Sequence, residues 1–208
     1  MCSCALIAGV LLVANAVRDD QPPQPTPAQA RSVSVQDDRP ARPAPRETPK
    51  PTGVPGLVPS DPVRMMIPAI GVNAPVSGLE LDHTGTLQVP PADQPGLAGW
   101  YRDGTAPGAV GTAITAGHVY TPMGPGVFYR LGALTKGDTV EIVREDHRTA
   151  VFTVDAVEVH DKRDFPDEKV YGDSDRPELR VITCGGDYSR STGYEGNVVV
   201  YATLSAVR

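Results

Sequence analysis

From Val63 to the C terminus the chain is a succession of short apolar, β-branched runs, each stopped by glycine, proline or a polar turn. Val63–Ile67 ends at Pro68, Gly71–Val76 runs into Ser77–Gly78, and Leu87–Val89 is bounded by Gly85 and Pro90. Gly111–Thr115, Thr139–Val143, Ala150–Glu158, Val181–Thr183 and Asn197–Leu204 continue the series, with a hairpin expected through Glu145–Arg148. Runs of this length and composition read as strands, and helix is expected only as short pieces at Phe128–Leu134 and within Asp93–Trp100. A mainly β fold follows, with many short strands forming a closed or nearly closed barrel. The proline and glycine counts, 22 and 21, against 5% aromatics fit strands joined by turns and disfavour a helical bundle. Asp161 to Arg180 is the longest polar interval, and such intervals in compact domains are usually functional or mobile.

The sequence before this unit has a different character. Residues 1–17 carry no charge and are strongly apolar, a length marginal for crossing a bilayer, which needs about 20 residues. They read as a signal or membrane anchor segment, although the basic residues that normally precede one are missing. Residues 18–62 hold twelve prolines and few large apolar side chains, so they are expected to form a disordered, extended linker, with a reach on the order of 100 Å. The catalytic or binding unit is then residues 63–208. A formal net charge of −6 with no Lys/Arg run argues against a nucleic-acid partner. No Cys-x-x-Cys or His-x-x-x-Cys pattern supports zinc, and Asp161, Asp164, Asp167 and Glu168 read as a solvated loop, so neither metal nor cofactor is expected.

Cys184 is the only cysteine after residue 4 and has no disulfide partner in the globular unit. A lone thiol in an exported protein is at risk of oxidation and calls for a reason. It follows Val181–Ile182–Thr183 and precedes Gly185–Gly186, a strand end opening into a loop. His118 has a similar setting, after Ala113–Ile114–Thr115–Ala116–Gly117. Two strand ends can bring a thiol and an imidazole together, the pairing that makes a nucleophilic thiolate. A buried, inert cysteine is the alternative. His83, His147 and His160 read as ordinary exposed residues.

Thr-Ala-Gly-His at residues 115–118, Thr183–Cys184 at a strand end and an arginine shortly after it resemble the sortase family of cysteine transpeptidases. The resemblance runs through Arg64–Val76, Leu87–Pro91 and Ala98–Tyr101 and covers about residues 63 to 204 in the family's order. Cys184–Gly185–Gly186 and Gly193–Ala202 look most like class F, the actinobacterial branch, whereas Tyr120–Thr121 departs from the Asp-Ser common in that class. The resemblance implies an eight-stranded closed β-barrel with short helices, long loops and a site at one end. It assigns Cys184 as nucleophile, His118 as general acid and base, Arg190 as the donor to the oxyanion, and Thr183 to substrate orientation.

What it implies for activity is cleavage of a Leu-Pro-x-Thr-Gly sorting signal between Thr and Gly through a thioester, in the cysteine peptidase class. The acyl group would pass to an amine of a peptidoglycan precursor or a pilin. Partners would be surface proteins bearing the signal, and the enzyme a monomer held outside the cell membrane by its N-terminal segment. A secreted cysteine peptidase, an L,D-transpeptidase, or a non-catalytic extracellular β-barrel binding module are the alternatives.

Overall fold

The computed structural model describes residues 21–26, 29 and 53–208; the apolar segment 1–17 lies outside them. The strands are β1 (Pro62–Ile67), β2 (Val72–Leu79), β3 (Ala98–Tyr101), β4 (Gly111–Ala116), β5 (Tyr120–Thr121), β6 (Gly124–Pro125), β7 (Thr139–Arg144), β8 (Thr149–Asp161), β9 (Pro177–Ser189) and β10 (Gly193–Val207). Eight of them close a barrel in the order β1-β2-β3-β4-β9-β10-β8-β7, and β7 pairs back to β1; β5 and β6 form a separate pair. A short α-helix, α1 (Asp167–Tyr171), lies inside the polar interval between β8 and β9. No helix there is long and apolar enough to cross a membrane. The mainly β, eight-stranded closed barrel expected from the sequence is the fold.

Inward-facing Met65, Ile67, Ala113, Ile142, Phe152, Val154, Leu179, Val181 and Val200 fill the interior together with Phe128, Leu131 and Leu134. Burial of each large member contributes about 1.5–3 kcal/mol. A second apolar cluster, Ile114, Ala156, Val170, Ile182, Val199 and Tyr201, lies outside the barrel wall. The segment containing α1 covers it through Val170 and Phe165. The barrel wall at β4, β9 and β10 is therefore buried on both faces along part of its length.

Several elements differ from their sequence reading. Ser77–Gly78 is no turn: β2 continues to Leu79 and pairs in parallel with β3, Ser77 opposite Gly99 and Gly78 opposite Trp100. A β-carbon on Gly99 would sit 2.3 Å from Leu79 Cδ1, so glycine there serves close packing. Leu87–Val89 contributes one bridge, Leu81 to Leu87, rather than a strand. In β8 the register against β10 shifts opposite Tyr201/Ala202. Phe152 and Val154 therefore face the core, but beyond the bulge Val157 does so and Ala156 faces outward, breaking the simple alternation across Ala150–Glu158.

Part of the proline-rich stretch packs on the barrel. Leu57 N–H donates to the Gly108 carbonyl at 2.7 Å, and the Asp61 carbonyl accepts from Glu145 N–H at 2.9 Å. Arg144, 1% exposed at the end of β7, secures this junction. Its Nη1 donates to the Pro107 carbonyl at 2.7 Å, and Nη2 donates to the Val58 carbonyl and, at 3.0 Å, to Asp146 Oδ2. That hydrogen bond holds the Asp146 carboxyl below the usual carboxylate range. Arg144→Met leaves two carbonyls without their donor and should cost about 2–4 kcal/mol in urea denaturation; a loss under about 0.5 kcal/mol contradicts this role.

His160 is another correction: its side chain is only 16% exposed. Its Nε2 lies 2.9 Å from Tyr201 Oη and 3.1 Å from Glu158 Oε2, with Phe165 edge-on to the ring. Lys169 Nζ donates to the same Glu158 oxygen at 2.6 Å, and Arg180 lies over the Tyr201 ring. Burial lowers the His160 pKa and, with Lys169, outweighs the opposing pull of Glu158. The unfolded histidine, near 6.5, then takes up a proton before the folded one does. This contribution to stability is complete above the unfolded value and is lost as pH falls through the lower, folded one. Urea midpoints should therefore fall less between about pH 7.5 and pH 5.5 in His160→Gln than in wild type; equal falls contradict the assignment.

Candidate active site

The site is built on the seam between β4 and β9, which run parallel from Gly111 opposite Pro177 to Ala116 opposite Ile182. Two threonine hydroxyls fasten it from the core side. Thr115 Oγ1 donates to the Arg180 carbonyl at 2.9 Å and Thr183 Oγ1 to the Gly117 carbonyl at 2.8 Å. Gly117 N–H donates to the Ile182 carbonyl at 3.2 Å, which carries the register past the end of β4. Carried one step past those residues, the same register puts the His118 and Cys184 positions level, on neighbouring chains about 5 Å apart between backbones. Strand alternation places both on the outer face, in line with Ile114 and Ile182.

Close backbone packing fixes the histidine. A β-carbon on Gly126 would lie 2.2 Å from the His118 carbonyl oxygen, and one on Gly117 would meet Val127 and Phe128 at 2.6–2.7 Å. These two glycines let the 126–128 segment lie flat against His118, where Phe128 N–H donates to the His118 carbonyl at 3.0 Å. The imidazole Nε2 is 2.7 Å from the Pro90 carbonyl. A carbonyl only accepts, so Nε2 carries a proton and Nδ1 is the nitrogen free to exchange one. The half-buried ring is thus oriented by a group the sequence does not distinguish from any other backbone carbonyl.

Cys184 is exposed and stands opposite Asn197 of β10. Lys162 Nζ lies 3.9 Å from its sulfur and donates to the Tyr194 carbonyl at 2.7 Å. Four of the chain's seven tyrosines gather nearby, Tyr188 against Tyr194 with centroids 5.0 Å apart and Tyr120 against Tyr129 at 6.4 Å. Burial raises the Tyr194 phenol pKa, with Tyr129, Tyr188, Cys184 and Tyr120 adding to the effect. Tyr120–Thr121, the departure from class F noted above, forms β5 in this wall. Gln24 reaches the same place: its Oε1 accepts from Gly186 N–H at 2.9 Å, and Gln29 Nε2 donates to the Leu134 carbonyl at 2.6 Å.

The other residues singled out in the sequence sit differently. Thr183 is buried with its hydroxyl committed to Gly117, so it secures the seam instead of facing substrate. Arg190 is exposed in the turn between β9 and β10, six residues beyond Cys184, roughly 15–20 Å along an extended hairpin. It forms no side-chain hydrogen bond or ion pair among the described residues. The β4–β9 register sets the His118 and Cys184 positions level at one seam, and Arg190 lies apart in the turn between β9 and β10. Sequence reasoning missed Lys162, Gln24 and the tyrosines, because ordinary residues acquire meaning here only from position.

A cavity of about 710 Å³ opens on the outer face of β4. Thr112 and Ile114 form its floor, and Leu87, Tyr101, Asp167 and Tyr171 are among its walls. The β4 stripe continues from Ile114 through Ala116 to His118, so an extended peptide lying along it would run toward the thiol.

Residues 65–205 match the family description "Sortase domain". No curated protein matches the sequence. Among solved structures, the SrtA sortase of Actinomyces oris is 21% identical, with a TM-score of 0.54 over 76% of this chain and 89% of that one. Sortase C-1 of Actinomyces oris is 20% identical, with a TM-score of 0.54 over 70% of this chain and 76% of its own. Sortase A of Listeria monocytogenes is 19% identical, with a TM-score of 0.51 over 71% and 89% respectively. At these identities the structural likeness speaks for the fold; the match of residues 65–205, across most of the barrel, shows that the chain belongs to the sortase family of cysteine transpeptidases.

Proposed function

We propose that the protein cleaves a Leu-Pro-x-Thr-Gly type sorting signal between Thr and Gly and transfers the Thr carbonyl to an amine. The adjacency of His118 and Cys184 across the β4–β9 seam carries the reading. The signal would lie along the β4 groove with its scissile carbonyl at the sulfur. Cys184 gives its thiol proton to His118 Nδ1, and attack by the resulting thiolate forms the sulfur–carbon bond and moves the carbonyl π pair onto oxygen. Collapse of that intermediate breaks the carbon–nitrogen bond, and His118 gives its Nδ1 proton to the leaving glycine amine. In the second half His118 takes a proton from the incoming amine, whose nitrogen displaces the sulfur. Arg190 is assigned to the oxyanion in this reading. Its position in the turn requires the β9–β10 hairpin to fold toward the bound peptide.

The acceptor would be a peptidoglycan-precursor or pilin amine and the donors surface proteins carrying the signal. The Cys184–Gly185–Gly186 sequence and the Gly193–Ala202 segment support a class F assignment. Residues 1–17 would anchor a monomer at the outer side of the membrane, an arrangement supported by the apolar run and proline-rich linker. Retention of the full chain in a membrane fraction, with residues 63–208 released, tests the anchoring.

The purified chain should cleave a fluorogenic Leu-Pro-x-Thr-Gly peptide and, with an added amine, yield ligated product. Cys184→Ala should lower turnover by at least about 10³-fold, since it removes the nucleophile. Cleavage that survives this substitution contradicts the mechanism, and hydrolysis that no amine diverts favours the plain peptidase. Arg190→Ala with wild-type turnover removes Arg190 from the reaction.

A further inference from the structure

The cation in contact with the sulfur comes from another element of the fold. β8, β10 and β9 lie side by side, with Asn197 paired to both His160 and Cys184. Lys162 opens the 3-10 turn Lys162–Asp164 where β8 ends, two strands from the thiol, about 10 Å between backbones. Asp161 fixes that turn by accepting Arg163 N–H at 2.7 Å. The lysine side chain spans the gap, placing Nζ 3.9 Å from Cys184 Sγ, while the Tyr194 carbonyl holds it at 2.7 Å. That carbonyl positions the ammonium without neutralising it, and Lys162 makes no ion pair with a carboxylate among the described residues. Facing the thiol from the other elements are His118 beyond β4, Asn197 and Tyr194 on β10, and Tyr120, Tyr129 and Tyr188.

We propose that Lys162 is a catalytic residue whose ammonium pairs with the Cys184 thiolate and raises the fraction of enzyme ready to attack. An opposite charge within about 4–6 Å favours the ionised form of a titrating group, and the thiolate is the nucleophilic form of cysteine. Lys162 keeps all three of its protons through the cycle; the proton received by the leaving amine comes from His118. The inference deepens the transpeptidase reading of the same site and supplies a charge there that does not depend on Arg190 moving.

The test uses the full chain and the rate of iodoacetamide alkylation against pH, followed at the Cys184 peptide by mass spectrometry so that Cys2 and Cys4 do not interfere. Lys162→Met should slow alkylation near pH 7 about three- to tenfold and displace the profile, and Lys162→Arg should restore it. Cleavage of the Leu-Pro-x-Thr-Gly peptide at pH 7 should fall about three- to tenfold in the methionine variant, in proportion to the lost thiolate. Thermal melts establish that the variants are folded, and Lys162→Gln takes the place of Lys162→Met if the latter does not fold. A profile that overlays wild type, or an arginine variant shifted as far as the methionine one, overturns the assignment. Alkylation needs no peptide substrate. Wild type that leaves the peptide intact but whose thiol profile depends on Lys162 contradicts the proposed specificity and leaves the charge pairing standing.

Discussion

The parallel pairing of β4 with β9 is the constraint on which the rest of the molecule depends. Residues 111–116 and 177–182 are far apart in sequence, and a parallel pair cannot be closed by a tight hairpin, so a long connection must leave one strand and return to the other. That connection passes through β5 to β8 and the segment containing α1. One register then places a histidine just past the end of β4 level with a cysteine inside β9, which continues to Ser189 instead of ending at Thr183 as its sequence suggests. A slip of one residue would turn Cys184 into the barrel and Thr183 out of it. The hydroxyls of Thr115 and Thr183, each bonded to a carbonyl of the neighbouring strand, oppose such a slip from the core side.

The surroundings divide the remaining tasks among separate elements. Pro90 orients the imidazole through a backbone carbonyl, while the glycines at 117 and 126 let the following segment lie against it. The apolar cluster outside β4, β9 and β10 gives the segment with α1 a surface to rest on, and that segment walls the groove through Asp167 and Tyr171. Polar groups beneath it are joined through Glu158, His160, Lys169, Tyr201 and Arg180, so the covering is a mixture of apolar contact and ion pairing. On the opposite side of the thiol, Gln24 of the proline-rich stretch touches Gly186. The segment preceding the barrel thus meets β9 two residues beyond the nucleophile.

Much of this was legible in the sequence where local pattern and tertiary demand coincide. Strands bounded by proline or glycine, such as Val63–Ile67 and Gly111–Thr115, were readable because their punctuation is local, and the unpaired Cys184 stood out by chemistry alone. Ser77–Gly78 misled because glycine permits a turn and close packing equally, and only the neighbouring strand decides between them. The faces of β8 were misread beyond Val154 because a bulge depends on the partner strand. His160 looked exposed for want of any local sign that Phe165 and Tyr201 would enclose it. Arg144 carried no signal, since its burial comes from carbonyls contributed by Val58 and Pro107 in distant segments. Cys184 and His118 were recognisable as candidates, but the lysine at the sulfur depends on the alignment of three strands.

The adjacency of imidazole and thiol can be measured without any substrate. Histidine ring resonances recorded by NMR across a pH titration, before and after carboxymethylation of Cys184, report what lies beside the sulfur. The account predicts that modification displaces the His118 resonances and moves their titration midpoint, because a fixed carboxylate replaces the thiol next to the ring, while His83 and His147 stay where they were. A His118 signal unchanged in both shift and midpoint would contradict the central claim.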